Sequence, residues 1–236
     1  MGGNTMIYLM SDIHGRYDEY KKILEKIDLK DSDTMFVLGD MVDRGEKSMD
    51  VLLDMMYRTN VYPIAGNHDL IALACLKDLS KVITEESIAE LDEDTVSMMV
   101  DWISNLGGQA TLDSFYKLDA DDREAVLEYL KDLDMYQEIT VNGMDYILVH
   151  TMGFDHFYPD KPLEEYTAED LLDARCDYGV EYYSDKILVT GHTPTTYIEE
   201  NNFKSTIYKG KNHIALDCGM EHLGCICLDN MKEYYS

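Results

Sequence analysis

The stretch Met35-Phe-Val-Leu-Gly-Asp-Met-Val-Asp-Arg-Gly45 constrains this chain more than any other. Its apolar run, Met35 to Leu38, has the length of a buried strand and stops at Gly39. Asp40, Asp43 and Arg44 then follow on a glycine-bounded turn, just past the strand's C-terminal end, where open α/β sheets gather their ligand chemistry. Two carboxylates and a guanidinium at that place make a poor core and a good seat for a cation beside an anion. A surface turn after a strand would have the same composition, so the other strand ends must decide.

They repeat the pattern. Met6 to Met10 has strand character and runs into Ser11-Asp-Ile-His-Gly15, where Asp12 and His14 offer a carboxylate and an imidazole to one cation. Mixed oxygen and nitrogen donors suit manganese, iron, zinc or cobalt better than calcium. Residues 17–27 carry helical spacing (Tyr17, Tyr20, Ile23, Leu24, Ile27), giving a β-α-β start and a parallel strand pair. A second helix over 48–57 leads to the strand 61–64 and then to Gly66-Asn-His-Asp69, in which Asn67 or Asp69 caps a helix over 70–79. His150 ends the second strand of a hairpin, 137–141 and 145–149, built on Asn142-Gly143. His192 follows the strand 186–190. Arg175 falls on a short helix over 171–175, after an aromatic loop, 152–166, that suits a pocket rim.

Between these blocks, residues 78–138 lose strand character. Helices over 85–106 and 120–136, joined through Gly107-Gly108, form an expected helical insertion within a single domain, 1–236. Trp102 fits there as a packing anchor. Strands over 203–209, 213–216 and 224–228 close the chain as an antiparallel set. Met1 to Thr5 precede the first strand and are expected to be a frayed end.

With 236 residues, 45% of them hydrophobic, the chain can bury one substantial core. Its net charge of −27, from 20 Lys+Arg against 47 Asp+Glu, repels nucleic acid and anionic membrane at long range, and no basic stripe offers a nuclease groove. No basic-then-apolar leader and no bilayer-length apolar run is present, so a cytoplasmic protein is expected. The five cysteines form no paired metal-spaced motifs and fit reduced core positions, with Cys225 and Cys227 on one face of a strand. Of the seven histidines, His156, His213 and His222 stand outside the strand-end set. His156 fits a surface place and His213 a strand edge.

Taken in order, Asp12-Ile-His-Gly15, Gly39-Asp-Met-Val-Asp-Arg-Gly45, Gly66-Asn-His-Asp69, His150 and Gly191-His-Thr193 resemble the PPP-type metallophosphoesterases. That group includes serine/threonine phosphoprotein phosphatases, among them bacterial and phage types, and symmetrical diadenosine tetraphosphatases. The resemblance implies an α/β fold: a calcineurin-like β-sandwich flanked by helices, with two divalent ions (Mn, Fe or Zn) at one end. It puts Asp12 and His14 on one ion, Asn67, His150 and His192 on the other, and Asp40 between them. Such a pair acidifies a shared water for in-line attack on phosphorus. Arg44 and Arg175 would clamp phosphate oxygens, and His68, oriented by Asp43, would protonate the leaving oxygen.

Two departures bear on substrate. The chain reads His150-Thr-Met-Gly153 where the family commonly has His-Ala-Gly, and it carries Asp69 where eukaryotic protein phosphatases have Glu. Asp43-Arg44 and Gly191-His-Thr193 look more like the phosphoprotein branch. The expectation is therefore hydrolysis of a phosphomonoester, on phosphoserine or phosphothreonine in a protein or on a small phosphoester. The alternative is a symmetrical bis(5'-nucleosyl)-tetraphosphatase releasing ADP.

Overall fold

Among the described residues, the strands expected from alternating and continuous apolar runs, joined by a further one at Lys232–Tyr235 that was not expected, assemble into two five-stranded sheets. The computed structural model describes residues 5–81 and 92–236. The first sheet has the order β10-β9-β1-β2-β3, with β1 (Ile7–Met10), β2 (Thr34–Leu38) and β3 (Val61–Ile64) parallel and β9 (Gly224–Cys227) and β10 (Lys232–Tyr235) antiparallel. The second has the order β4-β5-β6-β8-β7, from β4 (Tyr136–Val141), β5 (Met144–Val149), β6 (Lys186–Thr190), β7 (Tyr208–Lys209) and β8 (His213–Ala215). Pro63, which has no N–H to give, lies in β3 at an edge of the first sheet.

Strand alternation sorts the side chains into layers. Leu9, Leu38, Ile64, Leu148, Val189 and Ile226 face one another between the sheets and form the sandwich core. Tyr8, Met10, Met35 and Val37 turn the other way, onto the helices α1 (Tyr17–Ile27), α2 (Ser48–Met56) and α3 (Asn67–Leu79). Cys225 and Cys227 share that face while Ile226 faces the sandwich, and all five cysteines are free. On the outer side of the second sheet, Ile147, Val149 and Leu188 pack under α7 (Ala168–Leu172) and its flanking loops.

Between α3 and β4 the described residues form α4 (Glu93–Ser104), α5 (Gly108–Phe115) and α6 (Ala120–Lys131). Asp92 caps α4 by accepting the Thr95 N–H at 2.7 Å, while the expected start of that helix at 85 lies outside the described residues. The helix expected over 120–136 ends at Lys131, because Tyr136 is recruited opposite Val149 in the β4–β5 hairpin. The strand expected over 203–209 shrinks to Tyr208–Lys209, since Asn202 and Phe203 both take left-handed backbone conformations. His213 lies in an interior strand and is buried, with Nε2 at 2.9 Å from the Thr190 hydroxyl, so it is not the edge residue expected. No helix among the described residues is long and apolar enough to cross a membrane.

Candidate metal centre and active site

The loops after β1, β2, β3, β5 and β6 meet at one end of the sandwich. Asp12, His14, Asp40, Asp43, Arg44 and His192 all have positive φ, between 47° and 70°. Left-handed backbone at non-glycine residues costs on the order of 1–3 kcal/mol each, so the surrounding structure must hold it. It does so by interlocking the first two loops: Asp12 N–H donates to the Gly39 carbonyl, His14 N–H to Asp40, Gly15 N–H to Met41 and Gly45 N–H back to His14, all at 2.9–3.0 Å. At the third loop a side chain on Gly66 would stand 2.2 Å from Asp40 Oδ1, so only glycine lets the carboxylate come this close.

Asp40 is the centre of the arrangement. Its Oδ2 faces His14 Nε2 at 3.5 Å and its Oδ1 faces His150 Nε2 at 3.4 Å. Ligand atoms of His14, Asp40 and His68 lie within 4.8 Å of one another, and so do those of Asp40, His150 and His192. On the second side Asn67 Oδ1, His150 Nε2 and His192 Nδ1 stand 3.1–3.2 Å apart. Donors on a tetrahedral ion with bonds of about 2.0–2.1 Å would be roughly 3.3 Å apart, so this triangle matches one face of such a site.

The opposite ring nitrogens fix the tautomers. His14 Nδ1 donates to the Val42 carbonyl at 2.8 Å and His150 Nδ1 to the Leu38 carbonyl at 2.7 Å, aiming each Nε2 at Asp40. His192 Nε2 instead meets the Asp173 carbonyl at 3.0 Å, leaving Nδ1 for the centre. His14 Nε2 is buried and has no hydrogen-bond partner. A buried, pre-aimed and orphaned imidazole nitrogen beside a buried carboxylate is what a cation would satisfy, so these residues fit a metal site.

Charge separates the histidines of the cluster. Burial, aided by Arg44 and His68, pushes His14 down to about 3, and burial with His150 and Arg175 does the same to His192, so both are neutral and able to ligate. Burial opposes charge on His150 too, but Asp40 and Asp12 outweigh it and raise His150 to about 10. Burial and the Asp217 carboxylate push Asp12 well up.

Beside the metal cluster sits a second one. His68 Nδ1 donates to Asp43 Oδ2 at 2.7 Å, and Arg44 Nη2 lies 3.0 Å from His68 Nε2. Burial would lower His68, yet its hydrogen bond to Asp43 and the charges of Asp40 and Asp43 hold it above the ordinary histidine range. Arg44, His68, Arg175 and His192 line one cleft of about 570 Å³. Arg175 follows α7 rather than lying in it, and its Nη1 donates to the Thr193 hydroxyl at 3.0 Å.

The sequence-predicted set therefore converges, with one difference in detail. The Asp12 carboxylate is turned to accept the His192 backbone N–H at 3.1–3.2 Å, and His68 stands in its place in the ligand-spaced group around His14. Sequence reasoning missed Asp69, Trp102 and Thr111. Beyond the helix cap expected of it, the Asp69 carboxylate accepts the backbone N–H groups of Asp40, Met41 and Gly66 at 2.8, 3.0 and 2.9 Å. Trp102 is more than a packing anchor, because its indole N–H reaches both oxygens of Asp43.

Residues 5–204 match the calcineurin-like phosphoesterase family. The chain belongs to that family. Curated relatives of this calcineurin-like phosphoesterase are symmetrical bis(5'-nucleosyl)-tetraphosphatases. The one from Actinobacillus succinogenes is 36% identical over 86 residues, 36% of this chain and 31% of the relative. The one from Wigglesworthia glossinidia brevipalpis is 30% identical over 99 residues, 41% of this chain and 36% of the relative. The matched part thus spans about a third of those proteins. Among solved structures, a candidate diadenosine tetraphosphatase superposes with a TM-score of 0.65 at 18% identity, covering 98% of this chain and 93% of that one. A metallophosphoesterase from Sphaerobacter thermophilus gives 0.54 at 14% identity, covering 99% and 87%. These two establish the fold alone.

Proposed function

We propose that this calcineurin-like phosphoesterase hydrolyses dinucleoside polyphosphates, cleaving a tetraphosphate symmetrically to release ADP. One structural observation carries the reading beyond what the relatives' names suggest. The metal cleft meets a second cavity of about 700 Å³, and Arg175 and Tyr197 line both. Tyr197 is 76% exposed and Phe154, also lining the outer cavity, is 40% exposed, so both offer ring faces on which a base could stack. Glu169, Asp177, Glu199 and Glu200 surround the same space. Carboxylates there accept hydrogen bonds from a base amino group and ribose hydroxyls, while the phosphates stay with the arginines. A dinucleoside tetraphosphate can seat one of its two nucleosides in this outer cavity while the phosphate chain between them lies along the arginines, whereas a lone phosphoamino acid leaves the outer cavity unused.

In this scheme Asp12, His14 and Asp40 would hold one divalent ion, with Asp12 released from the His192 N–H, and Asp40, Asn67, His150 and His192 would hold the other. When bound, the ions would supply Lewis acidity toward the phosphoryl group and the attacking water. Arg44 and Arg175 neutralise and orient the phosphate chain, the planar guanidinium matching two oxygens at once. His68 gives its Nε2 proton to the leaving oxygen and Asp43 keeps the ring aligned. Because Arg44 faces His68 Nε2, capture of a phosphate by Arg44 also removes a competing donor from that nitrogen.

The outer carboxylates also favour a second reading, a phosphopeptide with basic residues beside its phosphate. The test is a manganese-supplemented comparison of diadenosine tetraphosphate with basic phosphoserine and phosphothreonine peptides. ADP as the sole nucleotide product, at higher kcat/KM than any peptide gives phosphate, is expected. Phosphate from peptides without ADP from the dinucleotide transfers the assignment to the second reading.

A further inference from the structure

The helices between β3 and β4 reach into the active site at one point. Asp43 is fully buried, and among the described residues no lysine or arginine pairs with its carboxylate, which is held by hydrogen bonds. Oδ2 accepts from His68 Nδ1 at 2.7 Å. Oδ1 accepts from the Thr111 hydroxyl at 2.7 Å, and the Trp102 indole N–H spans Oδ1 and Oδ2 at 3.0 and 2.9 Å. Thr111 Oγ1 also accepts the Asp43 backbone N–H at 2.8 Å, so one hydroxyl grips both ends of the residue.

The backbone is held from the same side. Asp43 and Arg44 are consecutive left-handed residues, at φ 70° and 67°, and the Arg44 N–H donates to the Gly107 carbonyl at 3.1 Å. A side chain on Gly108 would lie 2.3 Å from the Trp102 ring, so the Gly107-Gly108 turn lets α4 and α5 close on the Asp43–Arg44 turn. Neither Trp102 nor Thr111 lines the cleft that Arg44 and His68 share.

We infer that Trp102 and Thr111 are positioning residues for the proton donor, acting through Asp43 on His68. The helices thereby become part of the catalytic apparatus, and this rests on the reading of His68 as general acid given above. A donor fixed by a carboxylate that is itself clamped at both oxygens keeps one ring orientation. Removing a clamp lets the carboxylate, and the imidazole behind it, leave the line of the leaving oxygen.

The test uses Trp102→Phe, which keeps a ring against Gly108 but loses the N–H, together with Thr111→Val and Thr111→Ser. Kinetics are compared on phenyl phosphate, a poor leaving group, and p-nitrophenyl phosphate, a good one. A hydrogen bond to a charged group is worth a rate factor of about 10–100. Trp102→Phe and Thr111→Val are expected to lose about that factor in kcat on phenyl phosphate, with KM unchanged and a several-fold smaller loss on p-nitrophenyl phosphate. Thr111→Ser should restore most of it. Equal losses on both substrates would overturn the inference.

An activity-independent readout is available because Trp102 is the only tryptophan. In the metal-free protein its single indole N–H resonance should lie downfield and exchange slowly, and Asp43→Asn or Thr111→Val should move it. A resonance indifferent to both changes sinks the positioning role. If instead His68→Asn shows no leaving-group dependence while the indole responds as expected, the general-acid reading fails and the Trp102–Asp43 contact stands.

Discussion

Replacing Asp69 tests how the backbone of the metal loop is held. Its carboxylate is buried and accepts three backbone N–H groups, two of them from Asp40 and Met41, the turn that presents Asp40 to the centre. Oδ2 takes the Asp40 and Gly66 donors and Oδ1 the Met41 donor. Asp69→Asn keeps one acceptor, so with the amide oxygen in the Oδ2 place a single donor, Met41 N–H, faces the amide nitrogen. An unsatisfied buried donor costs about 1–3 kcal/mol, which sets the expected loss for Asn at about 2 kcal/mol. Asp69→Ala strands all three donors. Two effects hold its loss below the simple sum: water can enter the space left, and the native charge is itself disfavoured. Burial and Asp40 push Asp69 up to about 7 against the pull of its N–H donors. About 3–4 kcal/mol is therefore expected for Ala. In a domain of this size each kcal/mol moves Tm by about 2–4 °C, giving falls of about 4–8 °C for Asn and about 6–16 °C for Ala. Urea and thermal unfolding of metal-free protein, followed by circular dichroism at pH 8, read both. An Asn variant within about 0.5 kcal/mol of wild type, or an Ala variant milder than Asn, would refute the three-donor cradle.

Two further outcomes follow from the same geometry. His68→Asn should lower the rate on phenyl phosphate by about 10²–10⁴-fold and on p-nitrophenyl phosphate by much less; equal losses would remove His68 from proton donation. His150, raised to about 10 in the metal-free protein, must shed its proton to ligate, so metal uptake near neutral pH should release protons and tighten as pH rises. By the same linkage the metal-free protein keeps the His150 contribution to stability below pH 6.5 and loses it as pH rises through 10. Titration calorimetry in buffers of different ionisation enthalpy, with Tm against pH, checks both; no proton release would contradict the charged His150.

Much of the candidate site was legible because each candidate ligand lies beside a strand end, and strands announce themselves by short apolar runs. Asp40, His150 and His192 needed only that pattern and a glycine, and all meet in space. Trp102 and Thr111 were not legible, since 59 and 68 residues separate them from Asp43 and a Trp or Thr in an amphipathic helix has the same spacing whether it packs or donates. Asp69 hid behind a local explanation, the helix cap, that was correct in part: it does accept the Gly66 N–H. β10 was missed because Lys232 to Tyr235 is polar and exposed enough to pass for a tail, and only pairing with β9 orders it. Asp43-Arg44 and Gly191-His-Thr193 do not separate the two substrate classes, because on the proposed reading they serve the reacting phosphoryl group that both classes share. The proposed distinction rests on the outer cavity around Tyr197, where sequence spacing carries no signal.

The Asp40 carboxylate turns one oxygen toward His14 and the other toward His150, the arrangement expected of a residue shared by two ions. Elemental analysis of metal-replete protein, after removal of loosely bound ions, tests it most directly. Two divalent ions per chain are expected in wild type, with Asp40→Asn losing occupancy at both while remaining folded. At most one ion per chain in the replete wild type, or an Asp40→Asn variant that still binds two, would contradict it.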